Sequence, residues 1–180
     1  MRSALSLQIP EPLLRLESNC GIFAVWMIFQ HYGVNVDIDR LAQACRHDAE
    51  DGAFGIGLAV ALEKFGFSVT FYTDDDPHMH EKELPCYAEA QKLNIPVLPA
   101  LSYQGLRDAA DMGRFVIVFY DTLQGVGNHS LIYAIDEREI CFFDSFDPMP
   151  AKVFERQRRA EGICRQALVI DGSSFALRYS

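Results

Sequence analysis

The sequence predicts an α+β fold in which N-terminal helices pack on a C-terminal antiparallel sheet. Three patterns with helical spacing follow one another in the first half of the chain. Residues 114–120 form the clearest strand, because they are a continuous β-branched and aromatic run of the kind found at the centre of a sheet. Helices first and strands later is the order typical of α+β proteins.

The first predicted helix begins at Cys20, behind the capping candidates Ser18 and Asn19, and ends at Tyr32 before Gly33. Asp37 is a capping signal for the next helix. The third helix follows a polar, glycine-bearing loop and is apolar on most of its surface. The three predicted helices are residues 20–32, 40–46 and 56–65.

The rest of the chain alternates between strand and helix patterns. Ile95 to Pro99 is too rich in proline for a central strand. The strand that contains His129 and the strand that begins at Ile140 are separated by a short polar turn and therefore predict a hairpin. The remaining predicted helices are residues 81–93, 103–112 and 151–161, and the remaining strands are residues 67–72, 166–170 and 176–179.

Composition narrows the class of protein. With 180 residues, 49% hydrophobic and 12% aromatic, the chain is expected to form one globular domain over residues 1–180. A net charge of −9 argues against nonspecific binding to nucleic acid or to an acidic membrane surface. No apolar run is long enough for a membrane helix or a signal peptide, so we expect no membrane segment and a cytoplasmic location. Export by a dedicated secretion system would not require such a run.

The five cysteines lack the regular spacing of a disulfide framework or a CxxC zinc site; they stand at positions 20, 45, 86, 141 and 164. His78 and His80 could suggest a metal pair, but no third ligand accompanies them. We therefore expect neither a metal nor another cofactor.

Cys20 stands where a protein places a nucleophilic thiol, since the free N–H groups of a helix start favour the thiolate. His129 opens one predicted strand and Asp144 closes the next. A cysteine at a helix start, a histidine on a strand and an acid on the following strand is the order of a papain-like thiol enzyme. Each residue also has a plain structural interpretation: a buried inert cysteine, a strand-end histidine and a turn-capping aspartate.

Four blocks of the chain, between about residues 14 and 148, resemble the papain-like peptidases that process bacteriocins by removing a double-glycine leader. Cys20-Gly21 matches the start of that family's first helix, and Tyr32-Gly33 matches its end. The other blocks match three further segments. These are the leucine-bearing helix that starts at Ile38, the glycine-containing loop with the helix that ends Lys64-Phe65-Gly66, and the His129 hairpin. The resemblance implies a papain-like fold with Cys20 as nucleophile and His129 as base.

The chain departs from that family at two points. The family has a glutamine a few residues before the nucleophile, where this chain has Leu14, Arg15, Leu16 and Glu17. Oxyanion stabilisation would then fall to the Cys20 backbone N–H with Asn19 or Ser18. The family's acid usually precedes proline, as Asp147 does here, but Asp144 fits the hairpin better and is the preferred acid, with Asp147 as the alternative.

These observations predict a cysteine peptidase that cleaves a peptide or amide bond through a thioester, with a peptide or protein as its substrate. Acyl transfer by the same triad is an alternative, because an amine or thiol could replace water. A non-catalytic binding module on the same fold is the other alternative. The sequence does not indicate the oligomeric state.

Overall fold

The fold is a seven-stranded sheet with helices on both faces, in a computed structural model that describes residues 8–122, 126–145 and 147–178. The helices are α1 (Glu11–Arg15), α2 (Cys20–His31), α3 (Ile38–Ala44), α4 (Gly55–Lys64), α5 (Leu84–Lys92, preceded by a 3₁₀ turn at Glu81–Glu83), α6 (Tyr103–Asp111), α7 (Ala151–Arg158) and α8 (Ser173–Arg178). The strands are β1 (Ser68–Thr73), β2 (Val97–Pro99), β3 (Phe115–Asp121), β4 (Gly127–Ile135), β5 (Glu139–Phe142), β6 (Met149–Pro150) and β7 (Ala167–Asp171).

The strands lie in the order β2-β1-β7-β3-β4-β5-β6. Neighbouring strands are antiparallel except β1 and β2, which are parallel. The expected antiparallel α+β arrangement is therefore confirmed, with one parallel pair at an edge. β2 is that edge strand, in keeping with Pro99 in it and Pro96 just before it, because proline has no N–H to donate to a neighbouring strand.

Each face of the sheet has its own core, because successive residues of a strand point to opposite faces. Ile117, Leu131 and Leu168 are directly paired across β3, β4 and β7, and they pack with the apolar residues of α2 and α4. Val118 and Phe142 belong to the second core, which includes residues of α6 and α7. The position of a residue along its strand therefore decides which layer its side chain enters.

Local sequence signals account for most helices. The Asp37 side chain accepts a hydrogen bond from the Arg40 N–H (2.8 Å) and so begins α3 as predicted. Most of α2 is buried, and two of its large side chains, Trp26 and Phe29, are about 1% exposed. The short helix α1 was not predicted; it begins after Pro10 and holds the buried Leu13.

The predicted strand at residues 176–179 is wrong, because this part of the chain belongs to α8, although residue 179 lies outside the described residues. The Ser173 N–H donates to the Asp171 carboxylate (3.0 Å) at the start of this helix. The Phe175 ring stacks on Phe67 with 4.1 Å between centroids, which fixes α8 against the first core. In the described part of the chain, no helix has both the length and the apolarity needed to cross a bilayer.

Candidate active site

Cys20 is the first residue of α2, and Asn19 occupies the N-cap position before it. The Asn19 side chain does not cap the helix; its Nδ2 donates to the Leu13 carbonyl (2.8 Å). Ser18 has a φ of 51°, and its Oγ donates to the Ala49 carbonyl (3.0 Å). Both predicted oxyanion-hole side chains therefore already donate to backbone carbonyls. The N–H groups of the first helical turn have no acceptor within the helix and stay available beside the thiol.

The Cys20 thiol lies against the start of β4. The His129 backbone N–H donates to Cys20 Sγ over 3.5 Å. Burial raises the pKa of the Cys20 thiol more than the backbone hydrogen bonds from His129 and Gly21 lower it, and the charge of Asp144 raises it further. The sequence predicted the opposite direction, because it shows the N–H groups of a helix start but not how deeply the sulfur is buried.

His129 is held between the sheet and α4, with only 5% of its surface exposed. Its imidazole stacks on the Phe119 ring, with 4.4 Å between centroids and 19° between planes. Burial lowers the pKa of His129 to about 4, because the charged form loses its hydration there. Nε2 is buried without a hydrogen-bond partner among the residues that the structure describes.

Asp144 is exposed, and its Oδ2 accepts a hydrogen bond from Ser130 Oγ (2.9 Å) rather than from His129. Ser130 Oγ also contacts the Tyr120 hydroxyl (3.0 Å), and Asn128 Nδ2 donates to both oxygens. Asn128 and Ser130 flank His129 on β4, so their side chains point to the opposite face of the sheet. The negative charge of Asp144 therefore affects the Cys20 thiol, but the Asp144 carboxylate is not hydrogen-bonded to the imidazole.

The alternative acid, Asp147, is exposed on the loop before β6. Its backbone carbonyl accepts a hydrogen bond from Ser145 Oγ (3.4 Å). No contact between its carboxylate and Cys20 or His129 occurs within the described ranges. The structure thus favours neither aspartate as a direct hydrogen-bond partner of the imidazole.

A cleft of about 1340 Å³ contains Cys20 and His129 in its wall. Phe119, Gln166 and Gly55 line the same cleft and were not predicted as site residues. Phe119 is the direct cross-strand partner of His129, so a correct pairing of β3 with β4 would have found it. Gln166 precedes β7, and only the tertiary arrangement brings it to this wall.

The cleft is lined by more acidic than basic side chains. Its acidic residues are Glu50, Asp51, Asp74, Asp75, Asp76, Glu83 and Glu161, and its basic residues are Arg158, Arg159 and Arg165. Arg165 is neutralised by a two-pronged ion pair with Asp74 (both contacts 2.7 Å), which lowers the pKa of that carboxyl. Arg158 and Arg159 both pair with Glu155. The cleft therefore presents a negative field to a substrate.

His80, one of the two histidines considered as metal ligands, has a structural role. Its Nδ1 accepts from the Lys82 N–H (3.1 Å), while the Glu83 carboxylate accepts from the His80 N–H (3.0 Å). This reciprocal pair caps the 3₁₀ turn before α5. Among residues 8–122, 126–145 and 147–178, no three His, Cys, Asp or Glu side chains are grouped to hold a metal ion.

Comparison with known proteins gives concordant matches. Residues 15–94 match the Peptidase C39 family, a segment that includes Cys20 and ends before His129. Over 69 residues, the chain is 33% identical to the lactococcin-G-processing and transport ATP-binding protein LagD of Lactococcus lactis subsp. lactis. That alignment covers 38% of this chain and 10% of LagD, so the chain corresponds to about a tenth of its relative's length.

The fold is similar to the crystal structure of the peptidase domain of Streptococcus ComA, a bi-functional ABC transporter involved in a quorum sensing pathway. The TM-score is 0.52 at 17% identity, over 91% of this chain and 93% of that domain. The predicted papain-like α+β fold is therefore confirmed. The family match over residues 15–94 and the LagD alignment likewise confirm the predicted resemblance to bacteriocin-processing peptidases.

Proposed function

We propose that this chain is a cysteine peptidase that hydrolyses a peptide bond through a thioester on Cys20. The observation that carries the proposal is the contact between the Cys20 sulfur and the His129 backbone, 3.5 Å apart, in the wall of one cleft. The contact joins the sulfur to the backbone of a histidine, the residue type whose neutral side chain serves most often as a general base. The family match over the segment that contains Cys20 supports the same assignment.

The pKa directions favour a neutral resting pair rather than a thiolate with an imidazolium. Burial raises the pKa of Cys20 and lowers that of His129 to about 4, so at pH 7 the thiol keeps its proton and the imidazole is neutral, with one ring nitrogen free to accept a proton. As the sulfur attacks the substrate carbonyl, the imidazole takes the thiol proton and then gives it to the leaving amine. Water next attacks the thioester, which releases the carboxylic acid and restores the thiol.

The developing oxyanion would be met by the backbone N–H of Cys20, a first-turn group without a helical acceptor. Asn19 could add a second donor, because only one of its two amide hydrogens is needed for the bond to Leu13. Asp144, the predicted acid, would favour the imidazolium that forms in the transition state through its charge. Its role as the residue that orients the imidazole stays a prediction.

The proposed substrate is a cationic peptide, since the cleft is predominantly acidic. LagD is named for processing lactococcin G, and by analogy the substrate here would be a precursor peptide from which a leader is cut. The cleaved sequence must be found by experiment. A peptide library biased toward Lys and Arg, with small residues near its centre, is the appropriate starting point.

The decisive experiment combines covalent labelling with product analysis. The protein is treated with a peptidyl acyloxymethyl ketone built on the best library peptide, and the labelled cysteine is mapped by mass spectrometry. We expect label on Cys20, and loss of both labelling and cleavage in Cys20→Ala. Cys164→Ala is the matched control, because Cys164 lines the same cleft and should be dispensable.

An added amine separates hydrolysis from acyl transfer, because only a transferase would give amide product in preference to acid. Absence of label on Cys20 together with absence of cleavage across the library would contradict the proposal. Retained binding of library peptides in that case would identify the fold as a binding module.

A further inference from the structure

Gln166 lies in register with His129 across the middle of the sheet. The Phe119 N–H donates to the Gln166 carbonyl (3.0 Å), and Phe119 is the direct partner of His129 on the other side. Directly paired residues point to the same face of a sheet. The side chains of Gln166, Phe119 and His129 therefore share the face that packs on α2 and α4.

Gly55, the first residue of α4, lies close to both polar side chains. A Cβ atom added at Gly55 would lie 3.0 Å from Gln166 Oε1 and 3.4 Å from His129 Nε2. Both atoms therefore face one point beside the Gly55 backbone. A glycine at this position leaves the space open for the carboxamide and the imidazole.

Neither group has another partner within the part of the chain that the structure describes. Gln166 is 5% exposed, and its carboxamide makes no hydrogen bond there. His129 Nε2 is likewise buried and unpaired. A buried polar group without a partner, such as His129 Nε2, is costly, and a nearby carboxamide oxygen is a suitable acceptor for an imidazole N–H.

The backbone before Gln166 is fixed from several sides. Arg165 forms the ion pair with Asp74, and the buried Arg158 donates from Nη2 to the Arg165 carbonyl (3.1 Å). The Gln166 N–H donates to the Ile163 carbonyl (3.3 Å). These contacts hold the start of β7 in place, so that Gln166 needs only side-chain rotation to approach the imidazole.

We propose that Gln166 is a positioning residue, whose Oε1 accepts a hydrogen bond from His129 Nε2–H and so presents Nδ1 to the Cys20 thiol. The catalytic consequence of this contact rests on the proposed function, but the existence of the contact does not. Nδ1 is the ring nitrogen nearer the main chain, and the His129 main-chain nitrogen is the group that meets the sulfur. Asp144 is bonded to Ser130 and cannot make this bond in the observed arrangement.

The contact is tested by NMR titration of the His129 imidazole, which does not depend on activity. Gln166→Glu places a carboxylate beside Nε2, and we expect the proton affinity of His129 to rise at least tenfold, or one pKa unit. Gln166→Met, close in size but without an acceptor, should shift the neutral imidazole toward the tautomer protonated at Nδ1. Gln91→Glu, on the exposed end of α5, is the charge-matched control and should change neither property.

The consequence is tested in the peptidase assay. Gln166→Met should lower kcat about tenfold or more with little change in KM, whereas Gln166→Glu should restore much of the rate, because its carboxylate oxygen can accept the same bond. The inference is overturned if both Gln166 variants leave the His129 titration and tautomer unchanged, or if Asp144→Asn alone alters them. An inactive wild type would contradict the proposed function, while the titration would still decide the contact.

Discussion

The backbone N–H of His129 and the sulfur of Cys20 are joined by a hydrogen bond of 3.5 Å between residues 109 positions apart in the chain. The bond links the N-terminus of α2 to the start of β4, the junction between the helical layer and the sheet. Because of this bond, side chains on the same face of β4 and of its neighbouring strands are the candidates to act on the thiol.

The first prediction concerns the acid limb of the pH–rate profile. The imidazole must be neutral to accept the thiol proton, and burial against Phe119 lowers the pKa of His129 to about 4. We expect kcat/KM to fall only as the pH approaches 4, well below the usual histidine range. Phe119→Ala opens the imidazole to water and should move this limb toward pH 6.5.

The control for that shift is Phe143→Ala, which removes an exposed ring that contacts Tyr133 edge to face and does not stack on His129. It should leave the acid limb where it is. An acid limb near pH 6.5 in the wild type would show that the imidazole is hydrated in solution and would contradict the prediction.

The second prediction concerns stability. The folded-state pKa of His129 is depressed, so below about pH 6.5 the unfolded chain binds a proton that the folded chain does not. The free energy of unfolding should therefore fall as the pH drops from 6.5 to 4, by up to about 3 kcal/mol from this residue. Urea titrations should show a flatter pH dependence in His129→Phe, whereas His78→Gln, an exposed control, should keep the wild-type slope.

The sequence was sufficient for the parts of the site that depend on local signals. The apolar run after Cys20 and the glycine after Tyr32 predicted α2 to within a residue of its observed end, and the polar turn before Ile140 predicted the β4–β5 hairpin. No local signal in the sequence indicates that Cys20 and His129 lie close together. They are brought together by the packing of α2 on the sheet, and the order of a cysteine followed by a histidine was the only hint of that contact.

Gln166 and α8 show why the rest was out of reach. Gln166 lies beside His129 only because β7, the last strand in the chain, is inserted between β1 and β3. The four residues from Ala176 have no clear period, and a segment that short does not separate helix from strand. The buried contact of Phe175 with Phe67, far away in sequence, accompanies the helical form.

The third prediction concerns Gly127, which makes room for Phe119. A Cβ atom at Gly127 would lie 2.4 Å from Phe119 Cζ, closer than any side chain tolerates. Gly127→Ala must therefore displace the ring from the imidazole, and we expect a loss of about 1–3 kcal/mol in unfolding free energy together with reduced kcat. Gly105→Ala in α6 meets only the flexible Leu101 and Ser102 side chains and should be nearly neutral. Equal behaviour of the two variants would argue against a packed ring.

The last prediction concerns how the cleft selects its substrate. Asp75 and Asp76 line the cleft and have no ion-pair partner within the described ranges, unlike Asp51 and Asp74, which pair with Lys82 and Arg165. Unpaired carboxylates beside the site should attract a cationic peptide over a distance of about one Debye length, so added salt should weaken the attraction.

For two peptides with the same cleavage site, one bearing Lys and one Glu, kcat/KM should be several-fold higher for the Lys peptide at low salt. That ratio should fall toward one at about 0.5 M salt, and Asp75→Asn with Asp76→Asn should lower it at low salt, whereas Asp111→Asn on the exposed end of α6 should not. A ratio that is independent of both salt and these variants would mean that the acidic side chains do not select the substrate.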